Sequence, residues 1–359
     1  MMQVTAEWVF WSAVATILYV YVAYPLLLAV AATVRPRPVR KAAPDAELPP
    51  ISIVIAARNE GRRLAGRLDN LLALDYPAPR QIVVVADGSS DDTAAAVRRF
   101  GPAVELVVQP PLGKAAALNA GVARARHDIV VFADARQRFA PDTLRHLARN
   151  FADPSVGAVS GELVLDCESA DGSAVSSVGD GVGLYWQYEK WLRRRESRVN
   201  STLGTTGAVY AMRRECWRPL PANTILDDVL APMRVVLAGR RVVFDADARA
   251  FDRAAPDGAA ESRRKVRTLA GNYQLIALEP RVLVPVLNPV WWQFVSHKVG
   301  RLVVPYALVA CFITSAALLR RSPLYATAFV AQVLFVLLSL YGAVLDVRAR
   351  RPAARPLPA

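Results

Sequence analysis

Three long apolar stretches without a charged side chain constrain this sequence more than any other feature; they are residues 8–34, 302–319 and 322–345. At a rise of about 1.5 Å per residue, the first is long enough to cross a hydrocarbon layer of about 30 Å as a helix, and the other two fall in the usual length range of transmembrane helices. A cleaved signal peptide is the alternative for the first stretch. The preceding residues 1–7 contain no Lys or Arg, however, and the apolar run is longer than a typical signal core. The sequence therefore predicts three transmembrane helices, one N-terminal and two C-terminal.

The basic residues indicate an orientation for these helices. The chain has 44 Lys and Arg against 31 Asp and Glu, a net charge of +13. Basic flanks follow the first stretch, precede the second and follow the third, as a tail at 346–359, whereas Arg320 and Arg321 oppose this pattern. The positive-inside rule then predicts an integral inner or plasma membrane protein with these flanks in the cytoplasm and the N-terminus outside. Because the charge is concentrated at membrane flanks, it does not indicate a nucleic-acid partner.

Residues 281–300 combine Pro285 and Pro289 with Trp291 and Trp292. Prolines interrupt a helix, and tryptophans favour the headgroup region, so we expect an interfacial segment in contact with membrane lipids. Residues 184–198 also interleave aromatic and basic side chains, a pattern that suits either nucleic-acid bases or a helix near the headgroups. The membrane tether favours the second interpretation. The 3 Cys, which are Cys167, Cys216 and Cys311, are too scattered for a disulfide scaffold or a zinc ribbon.

A proline-rich linker, 35–50, leads into residues 51–280, which have the size of one α/β domain. Short apolar runs at 51–55, 81–85, 104–108 and 128–132 alternate with helix-like segments. This pattern predicts a mostly parallel sheet covered on both faces. Ligands of such sheets bind beyond the carboxyl ends of the strands, where polar residues follow the runs here: Asn59, Glu60, Asp87 and Asp134.

Capping of the following helix is the alternative role for an acidic residue after a strand. Asp91 and Asp92 precede a helix and are best explained as capping residues. The sequence contains neither a P-loop signature nor a G-x-G-x-x-G after the first strand, so nucleoside-triphosphate hydrolysis and dinucleotide-dependent oxidoreduction are both disfavoured.

The motifs, in their order, resemble those of the membrane-bound family 2 glycosyltransferases, which include cellulose, hyaluronan and chitin-oligosaccharide synthases. The resemblance implies a GT-A fold that binds a nucleotide-sugar donor. Residues 57–60 match the loop after the first strand, which places Asn59 and Glu60 at the donor. Asp87 matches the aspartate that contacts the nucleotide base, and Lys114, within Gly113 to Gly121, matches the lysine near the diphosphate.

Asp134 occupies the first position of the family's D-x-D motif, whose carboxylates hold a divalent metal, Mg²⁺ or Mn²⁺, on the diphosphate. Arg136 stands where the second carboxylate is expected. Either Asp134 suffices together with the phosphates, or Arg136 places its own charge on the diphosphate. The resemblance therefore implies a metal at Asp134 and leaves strict metal dependence open.

The remaining matches concern the acceptor and the catalytic base. Residues 204–214, with Thr206 and Gly207, resemble the acceptor-side segment, and Asp227 and Asp228 resemble the acidic pair whose second member is the general base. In isolation, such a pair at a helix start would serve the helix dipole. Arg264 and Arg267 match donor-side arginines of a Q/R-x-x-R-W motif, in which Thr268 replaces the tryptophan that stacks on the acceptor sugar.

The expected function is inverting transfer of a sugar from a nucleotide sugar to a hydroxyl of a glycan or lipid-linked acceptor at the cytoplasmic membrane face. This is a reaction of polysaccharide biosynthesis in the cell envelope. Two alternatives remain at this point. One is a short-chain processive synthase, against which the loss of the tryptophan counts. The other is a non-catalytic membrane-bound subunit that binds nucleotide sugars, which the change at Arg136 suggests.

Overall fold

The computed structural model describes residues 2–166, 177–253 and 258–349. Cys167 and residues 350–359 of the predicted basic tail lie outside them. The helices are α1 Met2–Leu18, α2 Tyr24–Val34, α3 Gly61–Leu72, α4 Thr93–Arg98, α5 Lys114–Arg124, α6 Thr143–Arg149, α7 Ser177–Val199, α8 Asp227–Leu237, α9 Gly258–Leu278, α10 Trp291–Gln293, α11 Gly300–Ala317 and α12 Pro323–Ala349. The strands are β1 Ile51–Ala57, β2 Arg80–Asp87, β3 Glu105–Gln109, β4 Ile129–Ala133, β5 Arg138–Phe139, β6 Val156–Asp166, β7 Val209–Arg213 and β8 Arg241–Arg253.

The chain forms two compact units, one of residues Met1–Leu26 with Ser296–Ala359 and the other of Leu27–Val295. Three helical segments are long and apolar enough to cross a membrane; they are Val4–Val34, Trp291–Ala317 and Pro323–Gly342. They agree with the prediction of one N-terminal and two C-terminal apolar helices. The first contains a π-helical turn, Tyr19–Ala23, between α1 and α2.

The second apolar helix begins earlier than the sequence indicated. We expected it at residue 302, after an interfacial segment 281–300, but helical backbone runs from Trp291 through a π-helical turn, Phe294–Val299, into α11. The prolines used to infer a broken segment, Pro285 and Pro289, both precede this start. Beyond Pro289 nothing interrupts the helix until Pro305, which α11 tolerates.

Within the first unit, α1 and α11 pack closely, and Phe10 meets Tyr325 of α12 edge to face at 5.0 Å between ring centroids. Arg321, in the turn between α11 and α12, lies 3.1 Å from the Glu7 carboxylate (Nε to Oε1). This ion pair neutralises one of the two arginines that oppose the predicted orientation. The remaining positive charge in this turn is therefore smaller than the sequence count suggests.

The second unit contains an eight-stranded sheet in the order β3-β2-β1-β4-β7-β6-β8-β5. Strands β3, β2, β1 and β4 are parallel neighbours, and β6 is parallel to β8. Strand β7 runs antiparallel between β4 and β6, and β5 is antiparallel to β8. The prediction of a mostly parallel sheet is confirmed, and β7 divides it into two parallel parts.

Alternating residues of the central strands enter two separate layers of packing. Ile53 and Ile55 of β1 lie in one apolar cluster with Leu64 and Leu68 of α3. On the other face, Val83 and Val85 of β2 cluster with Ala117 of α5. Burial on both faces explains why these strands read as continuous apolar runs in the sequence.

Gly121 lets α5 lie directly on the sheet. A Cβ at this position would stand 2.3 Å from Cγ1 of Val54 in β1. We expect Gly121→Ala to destabilise the protein by about 1–3 kcal/mol, the usual cost of overpacking. Gly66→Ala in α3 is the matched control, because its Cβ would meet nothing within 4 Å, and it should stabilise by about 0.5–1 kcal/mol. Thermal unfolding in detergent measures both; equal midpoints would contradict the packing argument.

The linker after α2 belongs to the second unit and is hydrogen-bonded to the rest of that unit. The backbone N–H of Arg37 donates to Arg198 O at 2.7 Å. The buried guanidinium of Arg241 donates through Nη2 to Arg37 O (2.8 Å) and to Ser197 O (2.9 Å). The proline-rich segment is thus fixed along the domain surface by backbone contacts that its composition does not reveal.

Candidate functional site

A cavity of about 380 Å³ opens at the carboxyl ends of β1, β2 and β4. Glu60 follows β1, Asp87 ends β2, and Asp134 follows β4, so the predicted convergence of these strand ends is confirmed. The lining residues combine carboxylates, basic side chains and small residues: Ala56, Ala57, Arg58, Glu60, Arg63, Asp87, Gly113, Lys114, Asp134, Ala135, Arg136, Gln137 and Arg267.

Asp87 lines this cavity and also fixes the loop that leads to α5. Its buried carboxylate accepts hydrogen bonds from Leu112 N (2.8 Å), Gly113 N (2.9 Å) and the Gln109 side chain (2.8 Å). Gly113 has a φ of 92°, a conformation that side chains disfavour. Asp87 thereby sets where Lys114, the first residue of α5, enters the cavity.

Asn59 and Glu60 tie the loop after β1 to the loop after β2. Asn59 has a φ of 56°, and its Oδ1 accepts from Ser90 N at 2.9 Å. Glu60 N donates to Thr93 Oγ1 at 2.9 Å. Of these two predicted donor residues, Glu60 lines the cavity and Asn59 does not. Asp91 accepts from Gly61 N and Thr93 N, both at 3.0 Å, whereas Asp92, at the N-cap of α4, makes no side-chain capping bond, contrary to its predicted role.

Lys114 connects the two halves of the site. Its Nζ lies 3.3 Å from Oδ1 of Asp134, after β4, and 3.3 Å from Oδ2 of Asp227, at the start of α8. Burial by itself lowers the pKa of this ammonium, but the carboxylates of Asp134, Asp227 and Asp228 together raise the pKa above its ordinary value. Lys114 therefore stays charged across the physiological pH range.

Arg67 of α3 supports Asp134 from beneath. This buried side chain donates from Nε to Asp134 O (3.1 Å) and from Nη1 to Asn70 Oδ1 (2.7 Å), and it lies 4.0 Å from the Phe139 ring centroid. Burial lowers the pKa of the guanidinium, and the Asp134 charge acts in the opposite direction. Arg67 is not among the residues predicted from the sequence. Its signal was a basic residue on the apolar face of α3, between Leu64 and Leu68.

Arg136 lines the cavity and is paired with a residue that the sequence analysis also missed. Its Nη2 lies 2.6 Å from Oδ2 of Asp252 in β8, and Gln137 Nε2 donates to the same oxygen at 2.9 Å. Asp252 is buried and distant in sequence, so only the pairing of β5 with β8 brings it here. The guanidinium that replaces the second D-x-D carboxylate is thus oriented by a carboxylate.

Asp227 and Asp228 begin α8. Asp227 is only 4% exposed, and its Oδ2 has no hydrogen-bond partner among the described residues. The Asp228 carbonyl accepts from Thr205 N at 2.8 Å. A Cβ on Gly207 would lie 3.3 Å from Oδ2 of Asp228. The acceptor-side segment therefore packs against the predicted base, and Gly207 leaves its carboxylate room.

Thr206 contributes to the framework instead of the cavity. It is buried, donates from Oγ1 to Gly161 O at 2.9 Å, and accepts from Nη1 of Arg193 in α7 at 3.0 Å. Beside it on β7, Tyr210 stacks on Phe132 at 4.4 Å, and its buried hydroxyl has no hydrogen-bond partner among the described residues. Burial and the nearby carboxylates raise the pKa of this phenol well above its ordinary value, so it stays protonated.

Helix α9 supports the segment that precedes Asp227. Arg267 lines the cavity, and its Nη2 donates to Ile225 O at 3.2 Å. Gln274, a further residue that the sequence analysis missed, binds the same segment twice at 2.8 Å, to Ile225 N and Asn223 O. Arg264 is exposed and does not line the cavity within the described ranges. Thr268 donates to Arg264 O at 2.9 Å within its own helix.

Gly207→Ala tests the contact with Asp228. The new Cβ would lie 3.2 Å from Asp228 Cβ and 3.3 Å from its Oδ2. We therefore expect the carboxylate to shift and the turnover of the expected sugar transfer to fall by about tenfold. The unfolding midpoint should change little. Steady-state kinetics with thermal unfolding checks this, with Gly66→Ala as the control. Unchanged turnover in a folded Gly207→Ala protein would show that the contact does not position Asp228.

A second cluster of possible metal ligands, His146, Asp245 and Asp247, does not line the cavity. Asp245 is engaged by Lys41 Nζ and Asn150 Nδ2, both at 2.7 Å. Asp134 offers a partly exposed carboxylate at the cavity, and Asp227, which is not among the lining residues, offers a buried oxygen that the Lys114 ammonium faces. Such oxygens suit a hard divalent cation, so the residues present fit the metal that the D-x-D position implies.

The sequence matches a family profile and part of the sequences of several known proteins. The profile described as "Glycosyltransferase like family 2" matches residues 49–271. A poly-β-1,6-N-acetyl-D-glucosamine synthase of Staphylococcus aureus is 35% identical over 119 residues, which are 32% of this chain and 29% of that protein. The corresponding synthase of Staphylococcus epidermidis is 34% identical over 117 residues, 31% of this chain and 28% of that protein. The match thus spans less than a third of the length of these relatives.

A solved structure resembles the chain over nearly its whole length. It is the mannosyltransferase PcManGT from Pyrobaculum calidifontis in complex with GDP-Man and Mn²⁺. The TM-score is 0.70 at 25% sequence identity, and the alignment covers 94% of this chain and 92% of that one. The predicted GT-A-type α/β fold with flanking apolar helices is therefore confirmed.

Proposed function

The chain belongs to the glycosyltransferase family 2, and from that premise we propose that it transfers a sugar, with inversion, from a nucleotide sugar to a hydroxyl of a glycan or lipid-linked acceptor. One observation carries the proposal. Asp228 is the second residue of α8, it directly follows Asp227, which Lys114 bridges to Asp134, and its charge acts on the same ammonium. The proposed base and the diphosphate-binding cations thus belong to one connected cluster.

On the donor side, Asp87 contacts the base, and the charges of Lys114 and Arg267 bind the diphosphate. Arg136, oriented by Asp252, extends this basic surface at the rim. Cations suit a diphosphate because charge-assisted hydrogen bonds to phosphate oxygens are among the strongest in proteins. Asp134 would hold Mg²⁺ or Mn²⁺, which would supply additional neutralisation of the diphosphate charge.

The reaction itself is a single displacement. Asp228 removes the proton from the acceptor hydroxyl, and the oxygen forms a bond to the anomeric carbon as the bond from that carbon to the diphosphate breaks. The electron pair leaves with the nucleoside diphosphate, where the charges of Lys114 and Arg267 stabilise it. Attack on the face opposite the diphosphate inverts the anomeric configuration.

We further propose that the three apolar helices span the inner or plasma membrane, with the N-terminus outside and the enzyme domain in the cytoplasm. The basic flanks and the Arg321–Glu7 pair support this orientation. A cytoplasmic site has access to nucleotide sugars and to acceptors in the inner leaflet. Arg263 and Lys265 of α9, beside the exposed Val266, suit contact with anionic lipid.

Synthesis of a short polymer is a second candidate function, favoured by the staphylococcal relatives, which are named as synthases of poly-β-1,6-N-acetyl-D-glucosamine. Thr268 argues against long chains, because its hydroxyl is bonded to its own helix and offers no aromatic surface to an acceptor sugar. The number of sugars added per acceptor separates this candidate from single transfer.

The test is release of nucleoside diphosphate from a panel of UDP- and GDP-sugars by the full chain in detergent with membrane lipid extract. We expect release from one donor class only, and more release with lipid extract than without. If the folded protein binds a sugar nucleotide but releases nothing with any donor or extract, the proposed function is wrong.

A further inference from the structure

We propose that Asp227 supplies the second carboxylate of a divalent-cation site with Asp134, and that the Lys114 ammonium occupies this site until a cation and a diphosphate displace it. The cation half of this proposal stands on the geometry alone. The diphosphate half rests on the proposed function.

The sequence provides only one carboxylate at the D-x-D position. Arg136 replaces the other, and its guanidinium is committed to Asp252 at 2.6 Å. A divalent cation with a single protein carboxylate depends heavily on substrate phosphates and water. The fold, however, brings a further carboxylate to Lys114 from another element.

Asp227 is that carboxylate. The start of α8 places it beside Lys114, whose ammonium lies 3.3 Å from an oxygen of Asp227 and 3.3 Å from an oxygen of Asp134. Its Oδ2 is buried, faces the Lys114 ammonium at 3.3 Å and accepts no hydrogen bond from any other described residue. A buried carboxylate oxygen needs a cationic partner, and a divalent cation suits it as a replacement for the ammonium.

The charges around Lys114 favour a second cation. Three carboxylates act on this single ammonium, namely Asp134, Asp227 and Asp228. Arg67 offsets part of the Asp134 charge, and the negative charge that remains around Lys114 favours the binding of a cation. Metal–oxygen distances of about 2.0–2.2 Å are shorter than the N–O distances here, so a metal and the ammonium cannot occupy the same place.

Because the metal and the ammonium exclude each other, Lys114 has one position without ligand and another when a cation is bound. Without ligand it holds the two carboxylates together, which limits their repulsion. When a cation arrives with a diphosphate, Lys114 moves from the carboxylates to the phosphate oxygens, and its charge remains paired. Metal binding and diphosphate binding should therefore strengthen each other.

Binding of Mn²⁺, followed by the electron paramagnetic resonance signal of the free ion, tests the proposal without any reaction. We expect the wild-type full chain in detergent to bind Mn²⁺ weakly. Lys114→Met should bind it about tenfold more tightly, because a like charge has been removed. Adding Asp227→Asn to Lys114→Met should abolish that gain. If Lys114→Met does not tighten Mn²⁺ binding, or Asp227→Asn leaves the gain intact, the proposal is overturned.

Matched controls separate the site from general charge effects. Lys190 pairs with the buried Glu162 at 2.6 Å, and neither lines the cavity. Lys190→Met and Glu162→Gln should leave Mn²⁺ affinity unchanged. Thermal unfolding verifies that each variant is folded.

A second measurement tests the proposal if the Lys114→Met variant does not fold. Mn²⁺ is titrated into wild type and Asp227→Asn with UDP or GDP present, and Asp227→Asn should weaken Mn²⁺ binding by about tenfold. Equal affinities would overturn the proposal. Mn²⁺ binding as expected, with no sugar transfer from any donor, would contradict the proposed function and leave the cation site standing.

Discussion

Asp228→Asn should lower the turnover of sugar transfer by about 10²- to 10⁴-fold, the contribution usual for a general base. The amide has the same shape as the carboxylate but cannot accept the acceptor's proton. Because Asp228 is assigned to the acceptor and not to the donor, the affinity for the nucleotide sugar should stay close to wild type. Initial rates of nucleoside diphosphate release, with donor binding measured by calorimetry, separate the two effects.

Asp142→Asn is the control for this variant. Asp142 is also an aspartate at a helix start, preceding α6, but it pairs with His146 and does not line the cavity. It should transfer sugar at the wild-type rate. Wild-type turnover in a folded Asp228→Asn protein would remove Asp228 from the mechanism.

Lys114→Met should lower turnover by about 10²- to 10³-fold, as expected when one stabiliser of a developing negative charge is removed. The same substitution should raise the affinity for Mn²⁺, because the ammonium no longer competes for Asp134 and Asp227. A variant that binds the cation better and catalyses worse is not explained by a loss of structure. Kinetics and Mn²⁺ titration on one preparation measure both effects.

Lys114→Arg serves as the conservative comparison. It retains the charge, so turnover should recover in part, while Mn²⁺ affinity should stay near wild type. If Lys114→Met keeps wild-type turnover, Lys114 does not act on the diphosphate. If turnover and Mn²⁺ affinity both fall, the ammonium supports the cation site instead of competing with it.

Local patterns were sufficient to predict the architecture and the three strand ends that contribute residues to the cavity. Continuous apolar strands indicated a parallel sheet, and the carboxyl ends of parallel strands meet at one edge. This rule alone brought Glu60, Asp87 and Asp134 together. It applies without knowledge of side-chain contacts, because it depends only on strand direction.

The contacts that complete the site depend on pairings between distant segments. Asp252 reaches Arg136 only because β8 pairs with β5. Gln274, on α9, binds residues 223–225, which precede α8. Neither residue has a local pattern that marks it. Arg67 differs, since a basic residue at helical spacing among Leu64, Leu68 and Leu71 could have indicated a buried partner.

The start of the second apolar helix shows a different limit. Tryptophans and prolines at 285–292 suggested a broken segment, and composition could not show that the helix begins directly after Pro289. Val290 N donates a hydrogen bond to Asn288 Oδ1 (3.0 Å), which closes the turn before Trp291. Such turn chemistry is weak in the sequence, because an asparagine before a proline fits several loop conformations.

The anomeric configuration of the product tests the central claim most directly. With a donor whose sugar is α-linked to the nucleotide, the proton spectrum of the isolated product distinguishes a β from an α linkage. Single displacement with Asp228 as the base predicts a β-linked product. An α-linked product would contradict this mechanism, since retention requires a different course of reaction in the same cavity.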